Sequence, residues 1–392
     1  MRTGMATFTL DTGRCPRWLF ERMVRCARQI VSILIDEFGP DEFLRRVADP
    51  VWFQSLGTVL AFDWNASGLT TVLCGALKEA IRGQEMDLGL FICGGKGGVS
   101  RKTPQQILDW SARLALPAGT GEGLVYNSRM AAKVDNCLVQ DGYQIYHHCF
   151  FFSSSGAWAV VQQGMNTENA TARRYHWYSG SVQDLVCEPH TGIVTQQVAD
   201  NALDLTAKAS TQCRQLSLEL VQGGYRPLIN ELKLIGKYVG PYSRMARIGI
   251  EGRQLTFLEL DDTEFSYHPV VAEDLSNSEY LHRILALVCE KRPSTYEQLL
   301  ATAGVGPKTV RALALVCEVI YGARPSYEDP ARYAFAHGGK DGTPYPVDRQ
   351  TYDRTIATLV EAVQRSRLDR SEKDRAIRRL VGSGPGCRPT RT

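Results

Sequence analysis

The residues of this chain best suited to chemistry are concentrated in one polar and aromatic block, residues 126–190. Six of its carboxylates and histidines form our predicted catalytic set: Asp135, Asp141, His147, His148, Glu188 and His190. Carboxylate and imidazole groups can hold a divalent metal ion, which activates water and stabilises a leaving oxygen. Cations of the same block, which would neutralise charge on a phosphate, are Lys133, Arg173 and Arg174. The block therefore has the inventory for metal-assisted phosphodiester hydrolysis.

Three members of this set are predicted to hold the metal, Mn²⁺ or Mg²⁺: Asp141, Glu188 and His190. Pro189 separates the last two in the sequence CEPH, so an extended segment would direct both side chains to one side. The same spacing is equally compatible with an ordinary turn. The metal site is therefore a hypothesis about how the chain brings these three residues together.

A β-hairpin is predicted to position the histidines. Residues 143–152 and 157–163 are rich in β-branched and aromatic side chains and are separated by SSSG, which is typical of two antiparallel strands. Because side chains alternate along a strand, His147 and His148 must face opposite sides, and at most one should reach a shared site. Most aromatic residues of the hairpin are expected to pack a core, although they could also stack on unpaired bases.

The sequence before this block predicts helices and one strand. Apolar residues recur every three or four positions from Pro16 until Gly39, and a second helix follows from Pro40. A third predicted helix ends near Gly83. A buried strand then leads through GGKGGVSRKT into a helix with Pro104 in its first turn and Thr103 as its cap.

The glycine-rich loop GGKGGVSRKT matches neither the GxxxxGK[ST] nor the GxGxxG spacing of nucleotide-binding loops. A loop that leads into a helix is nevertheless a layout that suits anions. We interpret it as a strand-to-helix turn that could present Lys96, Arg101 and Lys102 to a phosphate backbone.

The pattern of elements predicts an α+β fold: a helical N-terminal region, a central mixed α/β domain with an antiparallel hairpin, and a C-terminal all-α domain. The predicted boundaries are 1–200 for the α/β domain that would carry the catalytic set and 201–277 for a helical connector with a small hairpin in RIGIEGRQLTFLEL. They are 278–380 for the C-terminal helices and 381–392 for a flexible tail. Residues 365–392 carry nine Lys or Arg against three Asp or Glu, a charge that either is solvated or contacts phosphate.

Composition excludes several classes of protein. The chain has 392 residues, a net charge of +3, and neither an apolar run long enough to cross a bilayer nor a signal-peptide pattern, so we predict a cytoplasmic protein with no membrane partner. Its 11 cysteines include no CxxC pair, which argues against zinc ribbons and iron–sulfur clusters and favours reduced thiols.

The segment TYEQLLATAGVGPKTVRALALVCEVIYG predicts two helices joined by a Gly-Val-Gly turn, and it resembles the helix-hairpin-helix DNA-binding motif. Gly304 and Gly306 permit a tight turn and allow their amides to approach a phosphate at the start of a helix, with Val305 facing inward. The predicted DNA contacts are Gly304, Val305, Gly306, Lys308, Thr309 and Arg311, together with Arg101, Lys102, Arg173 and Arg174. The alternative is a helical hairpin that serves only for packing.

The same motif occurs in helix-hairpin-helix DNA glycosylases, whose lyase members use a Schiff-base lysine and an aspartate. The resemblance would make Lys308 that lysine, and the sequence PYPVDR offers Asp348 as the aspartate. However, the interval between Gly306 and Asp348 is much longer than in those enzymes, and a lysine in GVGPKT is also common in hairpins that only bind DNA.

Taken in order, GGKGGVSRKTP, SRMAAKVDN, QDGYQIYHH, WAVVQQGMN, EPH and GVGPKT resemble a bacterial and archaeal family described only as a domain of unknown function. That resemblance implies a DNA-associated protein, a structure-selective nuclease acting as a homodimer. Our leading hypothesis is a metal-dependent DNA endonuclease that grips duplex backbone and cuts near irregular DNA. The alternatives are a non-catalytic binder of branched or distorted DNA and a glycosylase or lyase using Lys308.

Overall fold

A central β-sheet carries helices on both faces, as the predicted α+β class requires. The computed structural model describes residues 15–60, 66–195, 198–199, 202–238, 248–250, 253–255, 278–331, 333–334 and 349–382. The sheet contains, in spatial order, β1 (Leu90–Lys96), β3 (Gln144–Ser153), β4 (Trp158–Asn166), β5 (Thr171–Tyr178), β6 (His190–Thr195) and β10 (Tyr333–Ala334). Neighbours are antiparallel except β10, which runs parallel to β6.

Both predicted hairpins are confirmed. The turn in SSSG joins β3 to β4, with Phe152 opposite Trp158 and His148 opposite Gln162. The strands β8 (Ile248–Ile250) and β9 (Arg253–Leu255) form the small hairpin. A further short pair, β2 (Val139–Gln140) with β7 (Leu203–Asp204), lies outside the main sheet.

One face of the sheet is covered by helices from both ends of the chain: α1 (Arg17–Val47), α2 (Pro50–Val59), α3 (Ala66–Ala80), α12 (Arg349–Arg365) and α13 (Arg370–Gly382). Gly39 interrupts α1 with φ of 80°, and Pro40 restarts it, as predicted. The sheet residues Ile92, Phe151 and Val161 pack against these helices. A short helix, α4 (Glu85–Leu88), precedes β1.

The helices of the opposite face are α5 (Thr103–Arg113), α6 (Thr120–Cys137), α7 (Thr211–Gly223), α8 (Tyr225–Tyr238), α9 (Glu279–Lys291), α10 (Tyr296–Ala301) and α11 (Pro307–Tyr321). They pack on Phe150, Phe152 and Trp177. Pro104 occupies the first turn of α5, but the predicted Thr103 cap is wrong. Thr103 is already helical, and its hydroxyl donates to the Ser100 carbonyl at 2.6 Å.

The aromatic residues of the β3–β4 hairpin form core, which confirms the packing role expected of most of them. Phe150, Phe151 and Phe152 have no exposed surface, and Trp158 is 6% exposed. Successive phenylalanines serve opposite faces, so this hairpin has little aromatic surface left for a base. The division into domains stays a prediction, although α12 and α13 share a core with α1 and α2 while α9 to α11 share one with α6 to α8.

No helix in the described ranges is both long and apolar enough to cross a bilayer. The cysteines of those ranges are free thiols, and seven of the ten are buried. Their burial within helices and strands agrees with reduced side chains that act as small hydrophobic residues.

Candidate functional site

Asp135 is the centre of a buried polar network on the α6 face of the sheet. Its carboxylate accepts hydrogen bonds from Gln162 Nε2, from Trp177 Nε1 at 3.1 Å and from His190 Nε2 at 2.5 Å. Asp135 has no exposed surface, whereas 7% of the His190 side chain is exposed. Three converging N–H donors are what a buried carboxylate needs to offset its lost hydration.

Gln162 extends this network to His148. Its Nε2 donates to Asp135 and to the Ala131 carbonyl at 3.0 Å, so its Oε1 must accept from His148 Nδ1 at 2.8 Å. Burial lowers the pKa of His148 to about 4, although the hydrogen bond to Gln162 opposes this. The neutral ring therefore accepts at Nε2 from the Ser128 hydroxyl at 2.8 Å.

The order Ser128, His148, Gln162 has the hydrogen-bond pattern of a nucleophile, a base and an orienting group. Ser128 is 2% exposed, however, and it lines neither of the clefts found among the described residues. A substrate has no visible route to its hydroxyl. We therefore interpret the hydrogen-bonded network that links Ser128 to His190 as a structural one, which joins α6 to the four strands β3, β4, β5 and β6.

Asp141 belongs to a second cluster, built around Arg173. The Arg173 guanidinium donates to Asp141 at 2.7 Å and to both oxygens of Asp329 at 2.9 and 2.6 Å, and all three side chains have no exposed surface. Burial alone would lower the pKa of Arg173, but the two carboxylates and Tyr175 raise it above its ordinary value. This cluster fastens the segment at Asp329 to β5.

The predicted metal triad of Asp141, Glu188 and His190 is not assembled. Asp141 is bound to Arg173, His190 to Asp135, and exposed Glu188 to Lys208 at 3.2 Å. Glu188 has φ of 47°, so the segment is not extended there and the expected shared orientation with His190 is wrong. Within the described residues no group of three His, Cys, Asp or Glu side chains could hold a metal ion. These residues do not fit the expected Mn²⁺ or Mg²⁺.

Arg174 and His147 lie on the other face of the sheet, away from this network. Arg174 is fully buried, donates to Gln54 and Thr70, and has its pKa lowered to about 9 by burial. His147 is 1% exposed, and neither of its ring nitrogens has a hydrogen-bond partner within the described ranges. The prediction that His147 and His148 face opposite sides agrees with these surroundings. The expected DNA contacts of Arg173 and Arg174 are wrong, because neither side chain reaches the surface.

The Gly-Val-Gly segment forms the predicted turn between α10 and α11. Val305 N–H donates to the Thr302 carbonyl at 3.2 Å, and Gly304 at the third position of this turn has φ of 85°. A left-handed third residue is what a type II turn requires, and a Cβ on Gly304 would lie 2.3 Å from Ile284 Cδ1. Val305 is 4% exposed and faces inward, as predicted.

Three carbonyl groups in and next to this turn accept hydrogen bonds from side chains of the protein. Lys133 Nζ donates to Thr302 O at 2.8 Å, the Tyr280 hydroxyl to Gly304 O at 3.1 Å, and Gln140 Nε2 to Pro307 O at 3.0 Å. By contrast, the N–H groups of Gly304 and Gly306 have no acceptor in the described part of the chain. Three carbonyl groups in and next to the turn thus accept from protein side chains, whereas these two amides have no acceptor among the described residues.

The remaining predicted DNA contacts differ in exposure. Thr309 is 1% exposed, so its side chain cannot reach a phosphate, and Arg311 donates to Gln140 Oε1 at 2.6 Å. Lys308 is half-buried in the first turn of α11, while Arg101 and Lys102 are exposed before α5. Asp348, the proposed partner of Lys308 in a lyase, lies outside the described residues, as does the basic end of the chain from residue 383.

Sequence reasoning missed three residues that organise the site: Ser128, Gln162 and Asp329. Gln162 could have been found, because the SSSG turn places it opposite His148 in the hairpin register. Ser128 and Asp329 gave no such signal, since each contacts its partner only after distant elements have packed.

The fold and site together define an α+β protein with a helix-flanked sheet and a helical hairpin whose turn has two amides without an acceptor among the described residues. Residues 4–347 match the family model described as protein of unknown function, DUF763, and the chain belongs to that family. Searches of curated proteins and of solved structures found no match.

Proposed function

We propose that this protein binds the sugar-phosphate backbone of DNA through the turn between α10 and α11. The observation that carries the proposal is the division of backbone groups there: the carbonyls of Thr302, Gly304 and Pro307 accept from protein side chains, while the Gly304 and Gly306 amides have no described acceptor. Free amides at the start of a 15-residue helix favour an anion, because the helix dipole adds to their own.

Cationic side chains near the turn support the same proposal. Lys308 lies in the first turn of α11. The Arg283 guanidinium lies 5.4 Å from the ring centre of Tyr280, and the Tyr280 hydroxyl in turn holds Gly304 O. A contact of this kind recognises phosphates and carries no sequence code, so the expected ligand is duplex or distorted DNA of any sequence.

Cleavage is a weaker proposal than binding. The carboxylates and histidines expected to hold a metal are engaged in separate buried pairs, which favours a non-catalytic binder of branched or distorted DNA over a metal-dependent endonuclease. We also propose a cytoplasmic location, which rests on the sequence patterns described above, and a homodimer, which rests on the family resemblance. Size-exclusion chromatography with light scattering would test the dimer.

Gly306→Glu is the sharpest test of binding. Gly306 has φ of −139°, and a Cβ there would meet only Gly304 O at 4.0 Å, so a side chain can be added without disturbing the turn. The added carboxylate should weaken DNA binding by about tenfold or more, because it occupies the position of the phosphate. Gly306→Gln is the matched control, since it adds the same bulk without charge and should weaken binding less.

The measurement is fluorescence anisotropy with labelled intact, bubble and branched DNA at several salt concentrations. The slope of log affinity against log salt should become shallower in the Gly306→Glu variant by about 0.9 for each phosphate that the protein no longer neutralises. Equal affinity of the wild-type protein and the Gly306→Glu variant would refute the proposal. Gel analysis of the same mixtures with Mn²⁺, Mg²⁺ or chelator would reveal cleavage, and borohydride trapping that disappears in Lys308→Ala would reveal a lyase.

A further inference from the structure

A second basic surface lies on the opposite side of the sheet from the Asp135 network. It is a cleft of about 1490 Å³ between α1, α3 and the connection from β1 to α5. This volume exceeds the ~300–1,000 Å³ usual for a small-molecule pocket, so the cleft has room for a ligand larger than a single small metabolite. The Gly94–Lys102 loop, whose function the sequence left open, forms one wall.

Positive charge dominates this cleft. The charged residues of its wall are Arg22, Arg25, Lys78, Arg82, Lys96, Lys102, Glu21 and Glu79. Glu79 is paired with Arg82 at 2.6 Å, and Glu21 with Arg17 at 2.9 Å outside the wall. No carboxylate in the described part of the chain forms an ion pair with any of the three lysines. The cleft therefore has uncompensated ammonium groups that attract an anion.

Lys78 is held in position by neutral groups only. Its ammonium donates to Gly94 O and to Gln106 Oε1, each at 3.0 Å, and Gln106 Oε1 also accepts from Gly94 N–H at 2.8 Å. An ammonium has three N–H donors, so one is left for a ligand. Burial has removed part of the hydration of this charge, and its neutral partners do not fully replace it. A bound anion would compensate for that loss. Because the side chain is already fixed, binding would require little further ordering.

A buried imidazole lies opposite Lys96 on the neighbouring strand. Lys96 is opposite His147 in the β1–β3 register. His147 is 1% exposed, and neither ring nitrogen is hydrogen-bonded to any residue that the structure describes. Burial and the nearby Lys96 charge lower the pKa of His147 to about 3, so this ring is neutral. The residue opposite Lys96 is thus an uncharged ring, which does not neutralise the charge of the lysine.

Two aromatic side chains extend the same wall. Trp18 is 59% exposed, and Phe20 packs beside Gly75 of α3. A large exposed indole beside uncompensated cations suits a ligand with a planar ring and phosphate groups, because the ring can stack while the phosphates contact the lysines.

We propose that this cleft binds a nucleotide, either free or as an unpaired residue of a nucleic-acid strand, with its phosphates on Lys78, Lys96 and Lys102 and its base on Trp18. The proposal is independent of the turn at Gly306, because the two surfaces share no residue. The strand form of the ligand would extend the proposed DNA binding from duplex backbone to unpaired bases.

The test uses fluorescence anisotropy of the full chain with two probes, a labelled oligothymidine and a fluorescent analogue of ATP. The double variant Lys96→Gln/Lys102→Gln should weaken binding of the preferred probe by about a hundredfold, because each of the two charge-assisted contacts to phosphate contributes roughly one power of ten. Lys233→Gln, which removes an exposed lysine from α8, is the control and should leave binding unchanged. Thermal melting followed by circular dichroism would verify that each variant is folded.

Binding of oligothymidine alone would identify a strand as the ligand, and binding of the ATP analogue would identify a free nucleotide. The proposal is overturned if the wild-type protein binds neither probe, or if the double lysine variant binds as well as Lys233→Gln. Gly306→Glu separates the two surfaces: it should weaken duplex binding and leave the cleft probe unaffected. Loss of oligothymidine binding in Gly306→Glu but not in the lysine variant would assign the strand to the turn and reject the cleft.

Discussion

Replacement of Arg173 by methionine should be among the most destabilising single changes in this protein. Arg173 makes three hydrogen bonds to the carboxylates of Asp141 and Asp329, and all three side chains are without solvent exposure. Methionine retains most of the packing but leaves two buried carboxylates with their charge uncompensated. Breaking a buried ion pair in this way costs about 3–5 kcal/mol, against total stabilities of about 5–15 kcal/mol for a folded protein.

The assay is urea denaturation at pH 7, followed by circular dichroism. Lys208→Met is the control, because Lys208 pairs with Glu188 while 79% of its side chain is exposed, and loss of such a surface pair costs about 0–1 kcal/mol. The triple variant Arg173→Met/Asp141→Asn/Asp329→Asn removes the uncompensated charges together. It should therefore be more stable than Arg173→Met alone.

The pH dependence of Arg173→Met gives an independent check. Burial raises the pKa of Asp141, and loss of the guanidinium, which opposes that shift, should raise it further above the ordinary ~3.9 of the unfolded chain. The folded variant then binds more protons than the unfolded chain, so its stability should increase as the pH falls from 7 towards 5. A loss no larger than that of Lys208→Met, or a triple variant as unstable as Arg173→Met, would refute the argument that buried charge sets the cost.

Three further predictions concern the turn and the sheet. Gly304→Ala should destabilise by about 1–3 kcal/mol, because φ is 85° and Ile284 Cδ1 lies 2.3 Å from the new Cβ, whereas Gly306→Ala should be neutral in the same denaturation assay. Because the pKa of His147 is lowered to about 3, the unfolded chain binds more protons than the folded protein below pH ~6.5, so the stability of the wild-type protein should fall as the pH drops from there. The stability of His147→Leu should fall less over the same range. An equal fall in the two proteins would contradict the assignment of this effect to His147. Ser128→Ala should lower the free energy of unfolding by about 1–2 kcal/mol, because it leaves His148 Nε2 without its hydrogen-bond donor, and it should not change DNA affinity. Unchanged stability together with lost DNA binding would reject the structural role of Ser128.

Much of the fold could be predicted from local patterns. The β-branched and aromatic residues on both sides of the SSSG turn predicted the β3–β4 hairpin, and Gly39 with Pro40 predicted the break in α1. The turn at Gly304 was predicted because glycine is the residue that adopts its positive φ without strain. These features depend on residues close together in the chain, where backbone geometry and side-chain type suffice.

The candidate site could be predicted only in part. The sequence identified Asp135, His148 and His190 as polar residues of one block, and the structure joins them through Gln162. The expected metal triad failed because composition states which groups are present but not which partners they find. Asp141 is neutralised by Arg173, which also binds Asp329, 156 residues further along the chain than Arg173. These pairings depend on how the strands and that distant segment pack.

The sequence by itself determined most helices, the strand β1, the two hairpins and the glycine turn of this protein, because each follows from local backbone preferences and side-chain patterns. Only the tertiary structure decided which polar groups are charged, paired or accessible. The buried arginines of β5 and the buried His147 opposite Lys96 result from the packing of distant elements, as do the amides beside Val305 that have no acceptor in the described part of the chain. A side chain's hydration and its partners, which set its charge and its reactivity, exist only once that packing has excluded water.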